Sequence, residues 1–302
     1  MSASDTQRVE AESVGTIQHG ASGSLDPFGF LRQLNLRGMR PTHPQVGLSA
    51  EVHREEDDVN EPGNADERDR TAVQAALADV ERRIDAACER AGRDRADVAL
   101  LPVTKTVAPE RIAWAIEAGY RTLAENRVQD AAAKAEALAD HGVSWHLIGH
   151  LQRNKVKLAL GFAACIQTLD RASLVERLAD QLAARGERRE VLMQVNTSGA
   201  ESQFGVVPAE AADLAAVIAK RPELEWIGLM TIGRFSEDPE DTRDCFRTLR
   251  RLRDELQEQS GQGLPVLSMG MSGDLEVAVE EGATLVRVGS AVFGARGREN
   301  RV

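Results

Sequence analysis

From Thr71 onward the chain alternates short apolar runs with amphipathic stretches, and this alternation restricts it to a parallel α/β architecture. The apolar runs read as strands near Val98–Val103, Arg121–Ala124, Ser144–Ile148, Ala164–Leu169, Glu190–Val195, Leu224–Thr231, Val266–Met269 and Thr284–Val288. Helical periodicity lies between them near Pro109–Ala118, Val128–Ala139, Arg153–Leu160, Ala172–Ala184, Pro208–Lys220, Pro239–Gln257 and Asp274–Glu281. Pro109 and Pro208 suit a first helical turn, and Gly119 and Gly282 suit the left-handed position after the last one. One more helix comes first: Thr71 reads as its N-cap, and Val73, Leu77, Val80, Ile84 and Ala87 recur in steps of four and three, which builds one buried face. Eight strands alternating with helices over residues 69–302 predict a (β/α)8 barrel of TIM type with an extra N-terminal helix; a doubly wound open sheet is the alternative.

Residues 1–68 differ. They are rich in Ser, Gly, Pro, Asn and acids, as in Glu51-Val-His-Arg-Glu-Glu-Asp-Asp58, and carry no sustained period, so they are expected to form a disordered extension. The short apolar patch Phe28–Leu34 is the exception. The two expected regions are therefore 1–68, an extension, and 69–302, a barrel.

A hydrophobic share of 42% supplies a sizeable core, and a net charge of −11 argues against a nucleic-acid binder. Arg250, Arg251 and Arg253 read as a solvated helix face. Cys88, Cys165 and Cys245 are far apart and lack C-x-x-C spacing, which fits reduced thiols in the cytoplasm. No stretch approaches the roughly 20 apolar residues of a membrane span.

Barrels place their sites where strands run into the following loops. Those positions hold Lys105, Glu125 and Asn126, His146 to His150, Asp170, Asn196, Met230 and Thr231, then Ser268, Gly270 and Ser272, and finally Arg287, Gly289 and Ser290. Lys105 stands out among five lysines because it ends the apolar run Val98-Ala-Leu-Leu-Pro-Val-Thr-Lys105. Lys134, Lys155, Lys157 and Lys220 fall on helical segments and read as solvated. A lysine where a buried strand opens into a loop is expected to be partly desolvated, which frees a neutral amine for Schiff-base chemistry. The stretches Ser268-Met-Gly-Met-Ser-Gly-Asp274 and Gly289-Ser290 follow the last two strands, where barrels frequently bind phosphate, and Ser272 precedes a helix N-terminus. An aldehyde cofactor bearing a phosphate, pyridoxal 5'-phosphate (PLP), satisfies both features. Arg287 is the candidate partner of its pyridine nitrogen and would leave that nitrogen unprotonated. His146 and His150 lie about 13 Å apart along one strand, too far to chelate a metal, so no metal site is expected.

Seven motifs in order carry a resemblance: Leu101-Pro-Val-Thr-Lys-Thr106, Ala124-Glu-Asn-Arg-Val-Gln-Asp130, Trp145-His-Leu-Ile-Gly-His-Leu-Gln-Arg-Asn-Lys155, Gln194-Val-Asn-Thr-Ser198, Gly228-Leu-Met-Thr-Ile-Gly233, Leu267-Ser-Met-Gly-Met-Ser272 and Val286-Arg-Val-Gly-Ser-Ala-Val-Phe-Gly294. Over roughly residues 71–296 the chain resembles the PLP homeostasis protein family, single barrels related to the N-terminal domain of alanine racemase. The resemblance implies that Lys105 carries the internal aldimine and that Arg287 faces the pyridine nitrogen. It also implies that Ser272, Gly289 and Ser290 contact the phosphate, and that Asn126 and His146 lie near the ring. It further implies a carrier without catalytic residues, which buffers PLP and delivers it to apo PLP-dependent enzymes. The cysteine usage and the lack of a membrane span place it in the cytoplasm, and with no uninterrupted exposed apolar stripe to demand a dimer a monomer is expected. Gln203 departs from the pattern, because the family commonly has a lysine there. Two enzymatic readings stand beside the carrier. A PLP-dependent amino-acid racemase would need a tyrosine base, but Tyr120, the only tyrosine, opens the second strand and so sits at the wrong end. A Schiff-base aldolase acting on a sugar phosphate would use Glu125 or Asp170 as acid or base.

Overall fold

The structure is a computed structural model and describes residues 62–294 apart from 235 and 237. Positions 1–61 of the expected extension, with the Phe28–Leu34 patch, lie outside the described residues.

Helix α1 (Pro62–Ala91) starts earlier than its sequence signal. Pro62 occupies the first helical position, where its missing N–H costs nothing. Thr71 is thus not the cap but an interior residue whose hydroxyl donates to the Glu67 carbonyl at 2.8 Å, and the helix crosses the expected 68/69 boundary. The anticipated face is buried as read: Val73, Leu77, Val80, Ile84 and Ala87 are all at most 2% exposed.

Then follow β1 (Ala99–Pro102), α2 (Pro109–Glu117), β2 (Thr122–Glu125), α3 (Val128–Ala137), β3 (Ser144–Leu147), α4 (Val156–Ala159), β4 (Ala163–Leu169), α5 (Ala172–Ala183), β5 (Arg189–Gln194), α6 (Ala211–Ile218), β6 (Leu224–Met230), α7 (Pro239–Ser260), β7 (Val266–Ser268), α8 (Leu275–Glu280), β8 (Leu285–Val288) and α9 (Ser290–Phe293). The eight strands form one sheet, β1-β8-β7-β6-β5-β4-β3-β2, every pair parallel. A single bridge, Val103 to Ala124, joins the two ends, with the Thr104 amide donating to the Ala124 carbonyl at 2.9 Å. The sheet therefore closes, which rules out the doubly wound alternative.

Side chains alternate across the wall. Ala99, Leu101, Val103, Ala124, Cys165, Leu192, Met230, Val266 and Leu285 pack together inside the barrel. Leu100, Leu147, Ile166, Val191, Met193, Leu267, Val286 and Val288 face the helices. Tyr120, just ahead of β2, donates its hydroxyl to Glu81 of α1 at 2.8 Å. Arg95 pairs with the same Glu81 and, at 2.6 Å, with Asp85, so α1 is tied to the N-terminal end of the barrel. The C-terminal strand ends face the opposite way and carry the polar set.

Candidate cofactor site

Lys105 sits at the closing seam. Its strand neighbour is β8, because the Val103 amide donates to the Val288 carbonyl at 2.9 Å. A Cβ added to Gly289 would lie 3.1 Å from the Val103 carbonyl, a tight contact that a glycine avoids as the two strand ends approach. Lys105 and the Gly289–Ser290 turn are thereby neighbours. The lysine is exposed, not partly buried as anticipated: β1 stops at Pro102, Thr104 is the last buried residue, and Lys105 and Thr106 form a turn that leaves the wall. Thr106 adopts φ +63°, a left-handed conformation that disfavours a β-branched residue by about 1–2 kcal/mol. Such strain is typical of functional turns.

Ser272 joins this cluster directly. Its hydroxyl accepts from the Ala291 amide at 3.2 Å, which links the β7 loop to the start of α9. The α8 N-terminus, expected as the anion site, is instead preceded by Asp274, whose carboxylate accepts from the Met271 amide at 2.5 Å. Burial holds that carboxyl above its ordinary range. On the other side, Arg83 of α1 donates to the Ser272 carbonyl at 2.9 Å and to Glu276 at 2.7 Å, so the extra helix supports the loop from behind.

Arg287 is buried inside the barrel. Its guanidinium donates to Ser268 Oγ and to the Thr231 carbonyl, each at 2.8 Å. Ser268 donates to Gln167 Oε1 at 2.7 Å, and Gln167 Nε2 lies 2.9 Å from His146 Nδ1. A polar chain thus crosses the interior from β8 through β7 and β4 to β3. Burial lowers the Arg287 pKa to about 10, so the group remains a cation at neutrality and acts only as a donor. Burial lowers His146 to about 4. His146 is 2% exposed and therefore reaches the strand-end cluster through Gln167, while Asn126 is exposed at the β2 end.

Lys134 is a residue that the sequence reading misplaced. Its side chain is only 11% exposed, because α3 lays it across the seam, where Nζ pairs with Glu125 and donates to the Thr104 carbonyl at 2.7 Å. Glu125 is fully buried and also accepts from Thr104 Oγ1 at 2.9 Å. Its carboxylate is committed to this clamp. Asp170 is likewise engaged, ion-paired to Arg171 and 3.3 Å from His150 Nδ1, off the hydrogen-bond direction. Both acid–base candidates of the aldolase reading are therefore structural. Gln203, where the resemblance implies a lysine, accepts from Ser198 Oγ at 2.8 Å and donates to the Gly233 carbonyl at 3.3 Å. A lysine has no acceptor and could meet Ser198 only as a donor.

A shallow groove lined by Ala135, Leu138, Val143, Trp145, Leu158 and Phe162 lies on the outer wall and shares no residue with this site.

A closed barrel with an amine, a glycine–hydroxyl cluster and a buried guanidinium at its strand ends defines the class of barrels related to alanine racemase. Residues 75–297 match the alanine racemase N-terminal domain family. The chain is 46% identical over 220 residues to a pyridoxal phosphate homeostasis protein from Aquifex aeolicus, covering 73% of this chain and 96% of that protein. PipY from Synechococcus elongatus, solved with PLP bound, superposes with a TM-score of 0.65 at 32% identity, covering 74% of this chain and all of PipY. An alanine racemase from Clostridium difficile shares the fold, with a TM-score of 0.60 at 14% identity, covering 77% of this chain and 59% of the racemase. The chain belongs to the pyridoxal phosphate homeostasis protein family.

Proposed function

We propose that the protein binds PLP at the strand-end site and serves its intracellular homeostasis, buffering and delivering the cofactor without a dedicated catalytic activity. The observation that carries this reading is the pairing of the β1 and β8 ends, where Val103, two residues before the exposed Lys105, packs against Gly289, while Ser272 bonds the Ala291 amide beside Ser290 and Arg287 is buried below. These residues fit the cofactor: its phosphate needs close backbone approach, and Gly289 lacks the Cβ that would crowd Val103. When bound, PLP supplies an aldehyde that an amine holds covalently and an anionic phosphate.

In this reading Lys105 is the covalent attachment point, and Ser272, Gly289 and Ser290 receive the phosphate. Arg287 faces the pyridine nitrogen, held in place by Ser268 and the Thr231 carbonyl. His146 orients that arginine through Gln167 and Ser268, and Asn126 flanks the ring from the β2 end. Free, buried Cys88, Cys165 and Cys245 support a reducing, cytoplasmic setting. Among the described residues the exposed large hydrophobics are Leu158, Phe204 and Val207, too few to require a partner, which supports a monomer that meets recipient apo-enzymes transiently. Among those residues no helix is long and apolar enough to cross a membrane.

The test is the absorbance of purified full-length protein loaded with PLP, followed by borohydride reduction and peptide mapping. Modification of Lys105, lost in Lys105→Ala while the fold persists, is the expected result. A chromophore that survives Lys105→Ala unchanged refutes the assignment.

A further inference from the structure

Inside the barrel, toward its N-terminal end, three side chains form a cluster that the cofactor reading leaves largely unused. His146 on β3 is the register partner of Cys165 on β4, and Cys165 is the partner of Glu190 on β5, so all three project to the same inward side. Strands two places apart are separated by roughly 9–10 Å. Yet a ring nitrogen of His146, Cys165 Sγ and a Glu190 carboxylate oxygen all lie within 4.8 Å of one another. The outer two side chains therefore lean together over the thiol. His146 is 2% and Cys165 0% exposed, whereas Glu190, the second residue of β5, is half-buried and opens the cluster toward the N-terminal rim.

We propose that His146, Cys165 and Glu190 form a binding site for a divalent transition-metal ion of the zinc class. Imidazole, thiolate and carboxylate are the donors that zinc takes, at about 2.0–2.3 Å. That geometry needs donor separations of roughly 3.4–3.7 Å, so the side-chain ends close in by about an ångström. Binding replaces the thiol proton: the Cys165 S–H bond breaks, a sulfur–metal bond forms, and one proton leaves to solvent. One thiolate and one carboxylate then neutralise the two positive charges, with water at the fourth position. Gln167 supplies the outer support that ligating histidines typically have. Contact with Nδ1 leaves Nε2 for the ion, and a half-turn of the amide lets its oxygen accept the Nδ1 proton while its nitrogen donates to Ser268. Placed in the N-terminal half of the barrel, the ion staples three neighbouring strands, and through Gln167 and Ser268 it adjoins the polar chain that ends at Arg287.

The experiment titrates tag-free, reduced, chelator-treated full-length protein with Co²⁺, followed by competition with Zn²⁺. One equivalent should bind with a sulfur-to-metal charge-transfer band and visible bands at longer wavelengths than PLP, and release one proton. Zinc should displace it and raise the thermal midpoint. Cys165→Ala should abolish the band and the stabilisation, and Gln167→Leu should weaken binding roughly 10–100-fold. Glu190→Gln should weaken binding by a similar factor. It keeps the side chain's size at the rim, so the test stays decisive should a Cys165 variant fail to fold. Absence of the charge-transfer band, or binding unchanged in both Cys165→Ala and Glu190→Gln, overturns the site.

Discussion

Removing the Lys134 ammonium alone should destabilise the barrel far more than removing the whole ion pair. The Lys134 side chain is 11% exposed and that of Glu125 0%. Lys134→Met keeps most of the stem volume but leaves a buried carboxylate with only the Thr104 hydroxyl at 2.9 Å and the Asn126 amide at 3.2 Å as partners. Breaking a buried pair from one side costs about 3–5 kcal/mol. For a domain of this size each kcal/mol moves the melting midpoint by about 2–4 °C, so a fall of roughly 6–20 °C is expected. The double variant Glu125→Gln/Lys134→Met removes both charges and keeps an oxygen for Thr104, and should return to within about 1–2 kcal/mol of the parent. Glu125→Gln alone should fall between them, because the partly exposed ammonium can turn toward water. Guanidinium denaturation followed by circular dichroism and tryptophan fluorescence reads all four proteins. A Lys134→Met protein within 1 kcal/mol of the parent, or a double variant no better than the single, would refute the buried clamp.

Thr106→Gly should stabilise the fold by roughly 0.5–1 kcal/mol, since relief of the left-handed strain exceeds the entropy of an added glycine; a loss of stability in denaturation would contradict the strained turn. Burial holds His146 at about 4, below an unfolded value of about 6.5, so its contribution to stability is complete above pH 6.5 and is lost as the pH falls toward 4. Denaturation midpoints measured with chelator present at pH 7.5, 5.5 and 4.5 should therefore fall more steeply for the parent than for His146→Gln, and parallel profiles would refute that origin.

The eight strands were legible because each apolar run is bounded by helix signals, and the parallel alternation admits few other packings. The strand-end positions of Lys105, Ser272, Arg287, Gly289 and Ser290 followed from that frame without knowledge of their contacts. Contacts between distant segments were not legible. Lys134 reads as a surface lysine on its own helix, and only the crossing of α3 over the seam brings it to Thr104. The chain from His146 to Arg287 joins four strands, though a clue existed: Gln167 and Ser268 are polar residues at inward positions of otherwise apolar strands. His146 was weighed against His150 along its own strand, whereas its neighbours Cys165 and Glu190 come from the adjacent ones. The start of α1 was missed because residues before 69 carry no sustained apolar period, so its first turns leave no buried face to read ahead of Thr71.

The same geometry supports the proposed carrier over the racemase. Inverting Cα requires an acid or base on each face of the substrate, and in the proposed site Lys105 would supply one. The racemase partner would be a tyrosine, but Tyr120 lies at the N-terminal end of β2 with its hydroxyl bound to Glu81, a strand length from Lys105. Burial pushes the Tyr120 phenol upward, well away from a working base. Glu125 and Asp170 are held in ion pairs and cannot take its place. Arg287, still a cation at neutrality, donates hydrogen bonds only, and if it faces the pyridine nitrogen as proposed it would leave that nitrogen unprotonated and weaken electron withdrawal from Cα. Each missing positioned acid or base forfeits roughly 10²–10⁴-fold in rate. Deuterium exchange at Cα of alanine, serine, glutamate and lysine, measured with the PLP-loaded protein, should therefore remain close to that of free PLP. Exchange many orders of magnitude above that control, abolished by Lys105→Ala, would overturn the carrier reading in favour of the racemase.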